Sequence, residues 1–277
     1  MNDIIIHDTT DNDFLFPTDF SRGLVERDYN EYPVDFLDSP GEMPDMSLTE
    51  IADRIKDHEK NESSLRHIRR RAVNGGKIPS LDQNSQGYCW SYSVAMTQML
   101  CRARDNQPYV RLSAHGPACK IKNFANQGGW CGLSAKFMRE NGCPSVEVWP
   151  EKSMNRSNDN AATWANAALH KITEDYVDLG ARHVAEQNLT KKQVLIQLVL
   201  NNPCAIDMNW WGHSICAMWA ALIDANASQN LTLESFGIGI LNSWTDSFGD
   251  QGEVVLQGVK SVPNGAVCTR VSSPSGK

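Results

Sequence analysis

Cys89 stands in DQNSQGYCWSYSVAMTQML, residues 82–100, at the first turn of an apolar-periodic stretch and behind a loop rich in Gln and Gly. A thiol attacks only as a thiolate, and a free cysteine is mostly protonated at neutral pH. Two devices lower its pKa: the unpaired N–H groups and dipole of a helix N-terminus, and a neighbouring imidazolium. Cys89 has the first by position. The second must come from one of seven histidines, most of which lie in charged, helical or loop contexts. His213 differs, because it opens the apolar run WWGHSICAMWAAL, which reads as a buried strand. Asn242 ends the strand-like run before NSWTDSFGDQGEVVL. Its amide oxygen could accept the imidazole N–H and fix the ring without adding charge. Taken singly, each residue has an ordinary reading: Cys89 a small buried hydrophobe, His213 a satisfied core histidine, Asn242 a turn cap, Gln83 a polar loop residue. Their joint order along the chain points instead to a nucleophile, its base and the group that orients the base.

The elements around these residues predict an α+β domain, with runs of helix followed by runs of strand. Helices are expected over 89–103, 134–141, 159–170 and 190–201, the last capped by Thr190 and ended by Pro203. Strands are expected in CAIDM, HSICAMWAALI, FGIGILNSW, GEVVLQ and AVCTRV. This domain is expected over residues 75–277. Residues 1–74 read as an acidic extension, irregular to about residue 47, with a short helix over about 47–70. Ser47 and Glu50 have the spacing of a capping box. Residues 1–60 carry 16 Asp and Glu against 5 Lys and Arg, whereas the remainder carries 17 against 21. The asymmetry argues against general nucleic-acid binding and suggests that the arm docks on its own basic body or on a partner subunit. Its scattered aromatics, among them Phe14, Phe20 and Phe36, suit docking. The basic stretch RHIRRR reads as a solvated helix end, a processing site or the seat of that arm.

Four stretches together resemble the papain-like cysteine peptidases. DQNSQGYCW resembles the active-site loop, with Gln83 six residues before Cys89; NQGGWCG resembles the substrate-strand loop, with Gly128 and Gly129; GHSICAM and NSWTDSFGDQGEVVL resemble the histidine strand and the asparagine hairpin. The resemblance covers about residues 78–270. It implies a two-lobed fold, a helical lobe and a β-rich lobe, with the cleft between them. It also implies roles. Cys89 is the nucleophile, His213 the base, Asn242 its orienter, and Gln83 with the Cys89 N–H the oxyanion hole. Trp244 shields the His213–Asn242 bond and borders the substrate, and Gly128 and Gly129 let a substrate strand approach. Trp211, with Trp210, is expected either to line the cleft or to pack in the core.

The departures are specific. Tyr88 precedes Cys89; Gln86 and Asn126 stand where the family has a disulfide; Gly212 precedes His213; Thr245 and Phe248 replace a glycine and a tryptophan; and an insertion lengthens the His-to-Asn spacing around residues 223–235. Glu50, Arg54 and Asn61 are spaced like the family's propeptide helix. Only about twenty residues separate that helix from Cys89, too few to run back through a cleft, so the match is set aside.

The function expected is hydrolysis of peptide or isopeptide bonds in a polypeptide substrate, without metal or organic cofactor. No apolar run approaches the ~20 residues of a membrane span, and no secretory signal opens the chain, so a cytoplasmic setting is expected. The drifted cleft residues and the aromatic arm also fit a different class: a papain-fold structural or binding module, for example a virion component.

Overall fold

Helices occupy the first part of the chain and strands the last, and one sheet gathers the strands. The computed structural model describes residues 3–33, 36, 43–73, 76–172, 177–179, 184–223 and 230–270. The central part of the expected insertion, residues 224–229, lies outside them. The helices are α1 (Asn12–Leu15), α2 (Leu48–Asn61), α3 (Leu65–Arg71), α4 (Cys89–Arg104), α5 (His115–Ile121), α6 (Cys131–Asn141), α7 (Ala161–Ala168) and α8 (Val184–Val199). The strands are β1 (Ile5–Ile6), β2 (Val177–Asp178), β3 (Cys204–Met208), β4 (His213–Leu222), β5 (Phe236–Leu241), β6 (Glu253–Leu256) and β7 (Gly265–Cys268). They form one sheet in the order β1-β6-β5-β4-β3-β7-β2, antiparallel except where β1 adds beside β6.

Two cores flank the site. One surrounds α4 and holds Trp90, Met96, Leu100 and Trp149. The helix is buried on every side from Cys89 to Arg102, so tertiary packing rather than an amphipathic stripe sustains it. The other core holds Ile51, Leu195, Ile206, Trp211 and Ile238. Residues 1–74 supply both, Leu65 in the first and Ile6, Leu15 and Ile55 in the second.

Several local expectations change. The single helix over 47–70 is two helices, broken at Glu62 in the left-handed conformation. Ser47 does cap the first, accepting the Glu50 N–H at 3.1 Å, but the Glu50 carboxylate turns to Arg54 at 3.2 Å, which leaves the capping box half made. Thr190 lies inside α8 and donates to the Leu179 carbonyl at 2.9 Å instead of capping. α6 begins at Cys131, three residues earlier than its apolar pattern suggests.

The RHIRRR stretch is not a solvated end. Arg69 is fully buried, and Glu253, on β6, receives Arg69 Nη1 at 2.5 Å, Arg66 Nε at 2.9 Å and Arg70 Nη2 at 2.7 Å. Arg66 also pairs with Asp3 of the arm at 2.6 Å. Asp246 accepts the Ser80 N–H at 2.9 Å and pairs with Arg69, fixing the loop before α4 to the hairpin after Asn242. Removing one partner from such a cluster strands buried charge. Glu253→Ala is therefore expected to lower unfolding stability by about 3–5 kcal/mol in denaturant titration. A loss below about 1 kcal/mol would instead match a solvent-screened surface cluster.

Candidate active site

Cys89 is the first residue of α4, and its backbone follows Tyr88, which offers no side-chain cap. The Tyr88 carbonyl takes the Ser91 N–H at 2.8 Å and the Tyr92 N–H at 3.1 Å, which leaves the Cys89 and Trp90 N–H groups outside the helix's own bonding at this end. β4 passes beside α4, and Ser93 Oγ and Ser214 Oγ meet at 3.0 Å between them. The Ser214 N–H donates to Cys89 Sγ at 3.4 Å. His213, one residue before Ser214, is thereby carried to the same end of the helix.

Asn242 Oδ1 accepts the Ser243 N–H at 2.7 Å and stands 2.8 Å from His213 Nε2. An oxygen already receiving one donor receives a second from Nε2–H, so the neutral ring keeps its proton on Nε2 and Nδ1 is the basic nitrogen. Nδ1 has no hydrogen-bond partner. Trp244 covers the ring, with centroids 4.6 Å apart, and is itself enclosed by Trp211 and Phe248. Gln83 is buried: its Oε1 accepts from Ser243 Oγ at 2.5 Å, and its Nε2 donates to the Gln86 carbonyl at 3.0 Å. Thr245, in the glycine position of the hairpin, takes φ +66, and its hydroxyl meets Ser247 Oγ at 2.6 Å. Where the resemblance has a disulfide, Asn126 Oδ1 accepts the Gly87 N–H at 2.8 Å, so a hydrogen bond joins the two loops.

The arm runs across this site. Gln83 Nε2 donates to the Ser21 carbonyl at 2.7 Å, and the Gly23 amide acts on the Cys89 thiol in the sense that favours its charged form. The Gly129 N–H donates to the Gly23 carbonyl, and the Val25 N–H to the Gly129 carbonyl, both at 2.9 Å; Leu24 thus pairs with Gly129 in parallel. The Leu24 N–H reaches the Gly212 carbonyl at 3.1 Å, and Phe20 stacks on Trp244 at 5.6 Å. A Cβ on Gly23 would overlap the Gly87 carbonyl, and one on Gly128 would come within 2.6 Å of the Gly23 carbonyl, so the approach requires both glycines. The segment that crosses the cleft lies upstream of α2 rather than between α2 and Cys89.

Burial dominates the electrostatics of this covered state. The Cys89 thiol is pushed up to about 12, against the lowering effect of the Ser214 and Gly23 amides. His213 is pushed down to about 4, only partly offset by Asn242. The helix N-terminus alone does not make a thiolate here, because the low-dielectric surroundings penalise both charged forms. With the arm seated the pair is a neutral thiol and a neutral imidazole.

Cys89, His213, Asn242, Gln83, Gly128, Gly129 and Trp244 thus converge on one crevice. Trp211, expected to line the cleft or to pack in the core, packs in the second core, its ring edge-on to His213 at 5.3 Å and its Nε1–H donating to the Leu15 carbonyl at 2.6 Å. Sequence reasoning missed Ser21, Gly23 and Ser214, since backbone donors and acceptors leave no mark in residue type. It also missed Asp207, although a carboxylate inside the apolar run CAIDM is a visible anomaly. Among the described residues no His, Cys, Asp and Glu grouping could hold a metal ion, and no helix is long and apolar enough to cross a membrane.

No family model matches the chain, and no curated protein matches it significantly. Solved structures do. The chain is similar to xylellain, a cysteine protease from Xylella fastidiosa, over 70% of its own length and 83% of the other chain, with TM-score 0.51 and 14% identity. It is similar to recombinant stem bromelain precursor over 92% of its own length and 84% of the other, with TM-score 0.54 and 12% identity. At these identities the likeness is one of fold: the chain has the two-lobed α+β fold of the papain-like cysteine proteases.

Two outcomes are expected. Gly23→Val cannot sit against Gly87, so Cys89 in this variant should be alkylated by iodoacetamide far faster than in the parent chain, measured by peptide mass spectrometry. Equal rates would mean that the arm does not cover the sulfur. The second outcome concerns pH. His213 has a lowered pKa in the covered state, so the seated arm keeps its full advantage above the ordinary histidine value of ~6.5 and loses it as pH falls towards 4. The loss is on the order of 3 kcal/mol at most. Hydrogen-exchange protection factors at the Leu24 and Val25 amides should fall between pH 7 and pH 4; protection independent of pH would contradict the linkage.

Proposed function

We propose that the chain is a thiol-dependent hydrolase of peptide or isopeptide bonds, held latent by its own residues 20–27. The observation that carries this reading is the 2.8 Å His213–Asn242 contact beside a cysteine that begins α4 and accepts the Ser214 N–H. A buried imidazole held by a neutral amide, with its other nitrogen unpartnered and the next residue's N–H on the Cys89 sulfur, suits proton transfer better than core packing.

The chemistry follows from the donors. With the cleft open, Cys89 gives its proton to His213 Nδ1, and the sulfur attacks the substrate carbonyl carbon. The carbonyl oxygen takes the electron pair and is held by Gln83 Nε2–H and the Cys89 N–H. His213 returns the proton from Nδ1 to the departing amine, the C–N bond breaks and a thioester remains. Water then attacks, its proton going to His213, and the carboxylic acid leaves as the Cys89 sulfur is released. No step calls for a metal or an organic cofactor. The arm takes the place of a substrate in this pose: its Ser21 carbonyl occupies the Gln83 donor, and its Gly23 carbonyl accepts the Gly129 N–H.

A second reading has its own support. The cleft is filled and the thiol is pushed up to about 12, as would suit a papain-fold module that binds or assembles without turnover. Digestion of a peptide library by Gly23→Val chain separates the two. Hydrolysis is expected, with Cys89→Ala in the same background abolishing both cleavage and alkylation. Gln83→Ala should lower kcat/KM by about 10²–10³, the usual effect of one lost oxyanion donor. Cleavage that survives Cys89→Ala would overturn the assignment. An opened chain that is alkylated at Cys89 but cleaves nothing would favour the module.

A further inference from the structure

Beside Gly129 the cleft continues into a pocket of about 110 Å³, lined among others by Leu24, Arg27, Trp130, Asp178, Asp207 and Gly265. Two of these are carboxylates withdrawn from water. Asp207 is 5% exposed and projects from β3 to the start of α6, where both its oxygens stand 3.3 Å from the Cys131 N and Oδ2 stands 3.1 Å from the Cys131 Sγ. Asp178 lies on β2, with a side chain 3% exposed. A carboxylate withdrawn from water is costly without a cation, and Asp178 has one. The Arg27 guanidinium meets Asp178 through two parallel bonds of 2.9 Å, donates from Nε to the Tyr32 carbonyl at 2.8 Å, donates to the Pro33 carbonyl, and lies over the Trp130 ring at 4.3 Å from its centroid. Asp207 and the Arg27 side chain line the same pocket.

The cation belongs to the arm, whereas the carboxylates and the tryptophan belong to the lobes. The strand that delivers Arg27 is the one held by Gly129, the residue expected to hold a substrate strand. Planar, bidentate pairing with a carboxylate and stacking on an aromatic face are properties of a guanidinium that an apolar side chain cannot reproduce. We infer that the pocket is the side-chain-selecting subsite of the cleft, that it takes an arginine of the polypeptide substrate, and that Arg27 occupies it in the substrate's stead. Asp207 and Asp178 are then the specificity-determining residues. This deepens the hydrolase reading and rests on it for its substrate, though the pocket can be tested without turnover.

The test uses full-length chain opened by Gly23→Val, with Arg27→Ala as a second opening variant that empties the pocket and leaves Gly23 intact. A peptide library is digested, and kcat/KM is compared for an arginine-bearing and a leucine-bearing version of the best peptide. The arginine version should be preferred, and Asp207→Asn and Asp178→Asn should each reduce the arginine-to-leucine ratio by about tenfold or more, as expected when a charged partner is removed from a desolvated site. Cleavage with no preference for a basic residue, or a preference that both substitutions leave intact, overturns the inference while the hydrolase reading stands. If no peptide is cleaved, calorimetric titration of acetyl-Leu-Arg-amide and acetyl-Leu-Leu-amide into the opened chain decides. Arginine-selective binding that Asp207→Asn abolishes supports the pocket and sinks the hydrolase; binding without selectivity, or none, sinks the pocket.

Discussion

The packing of α4 against β4 is the constraint on which the rest of the site depends. Ser93 and Ser214 fix the two elements at hydroxyl distance, and the Ser214 amide reaches the Cys89 sulfur. One contact zone therefore sets the positions of a thiol at a helix start and an imidazole at a strand start, 124 positions apart in sequence. β5 then brings Asn242 beside β4, and the loop before α4 is tied to the hairpin by the Gln83 N–H to Ser243 carbonyl bond at 3.0 Å. Glu253 and its three arginines hold α3 against the same sheet. The reacting groups are thus set by rigid elements, and the loops only complete the enclosure.

The same burial that fixes the site also disfavours the charged forms of Cys89 and His213. An ion pair between thiolate and imidazolium needs either water or a preorganised set of dipoles, and the seated arm removes the first without completing the second. The arm spends its hydrogen bonds on groups that a substrate would use: the Gln83 amide, both polar atoms of the Gly129 backbone and the Asp178 carboxylate. In the proposed hydrolase, occupancy and low reactivity have one physical origin, the segment that fills the groove. β1 adds to the sheet edge beside β6 and α1 packs beneath Trp211, so the arm is anchored upstream of the cleft as well as within it.

Much of this was legible in the sequence, for identifiable reasons. Cys89, His213 and Asn242 stand at the ends of elements whose apolar periodicity is plain, and Gly128 and Gly129 form a pair that marks close backbone approach. The α+β order and the five later strands follow from β-branched and aromatic runs broken by turn residues. What stayed hidden was set by backbone groups and by long-range charge. Gly23 is one glycine in SRGLV, and nothing local says that it meets Gly87 and Cys89. The basic stretch 66–71 reads as solvated because its partner, Glu253, lies 182 or more residues away. Trp211 was ambiguous for a similar reason: whether an aromatic at a strand end meets a substrate or a core depends on α1, an element too short to be seen in the sequence.

The central claim is that burial by residues 20–27 keeps Cys89 and His213 neutral, and that opening the cleft lets them ionise as a pair. Thiolate ultraviolet absorbance assigned to Cys89, taken as the difference between each chain and its Cys89→Ser counterpart, tests this directly across a pH titration. The account gives no Cys89 thiolate at neutral pH with the arm seated and a clear thiolate signal once Gly23→Val displaces it. A thiolate already present in the covered chain, or absent from the opened one at neutral pH, would contradict it.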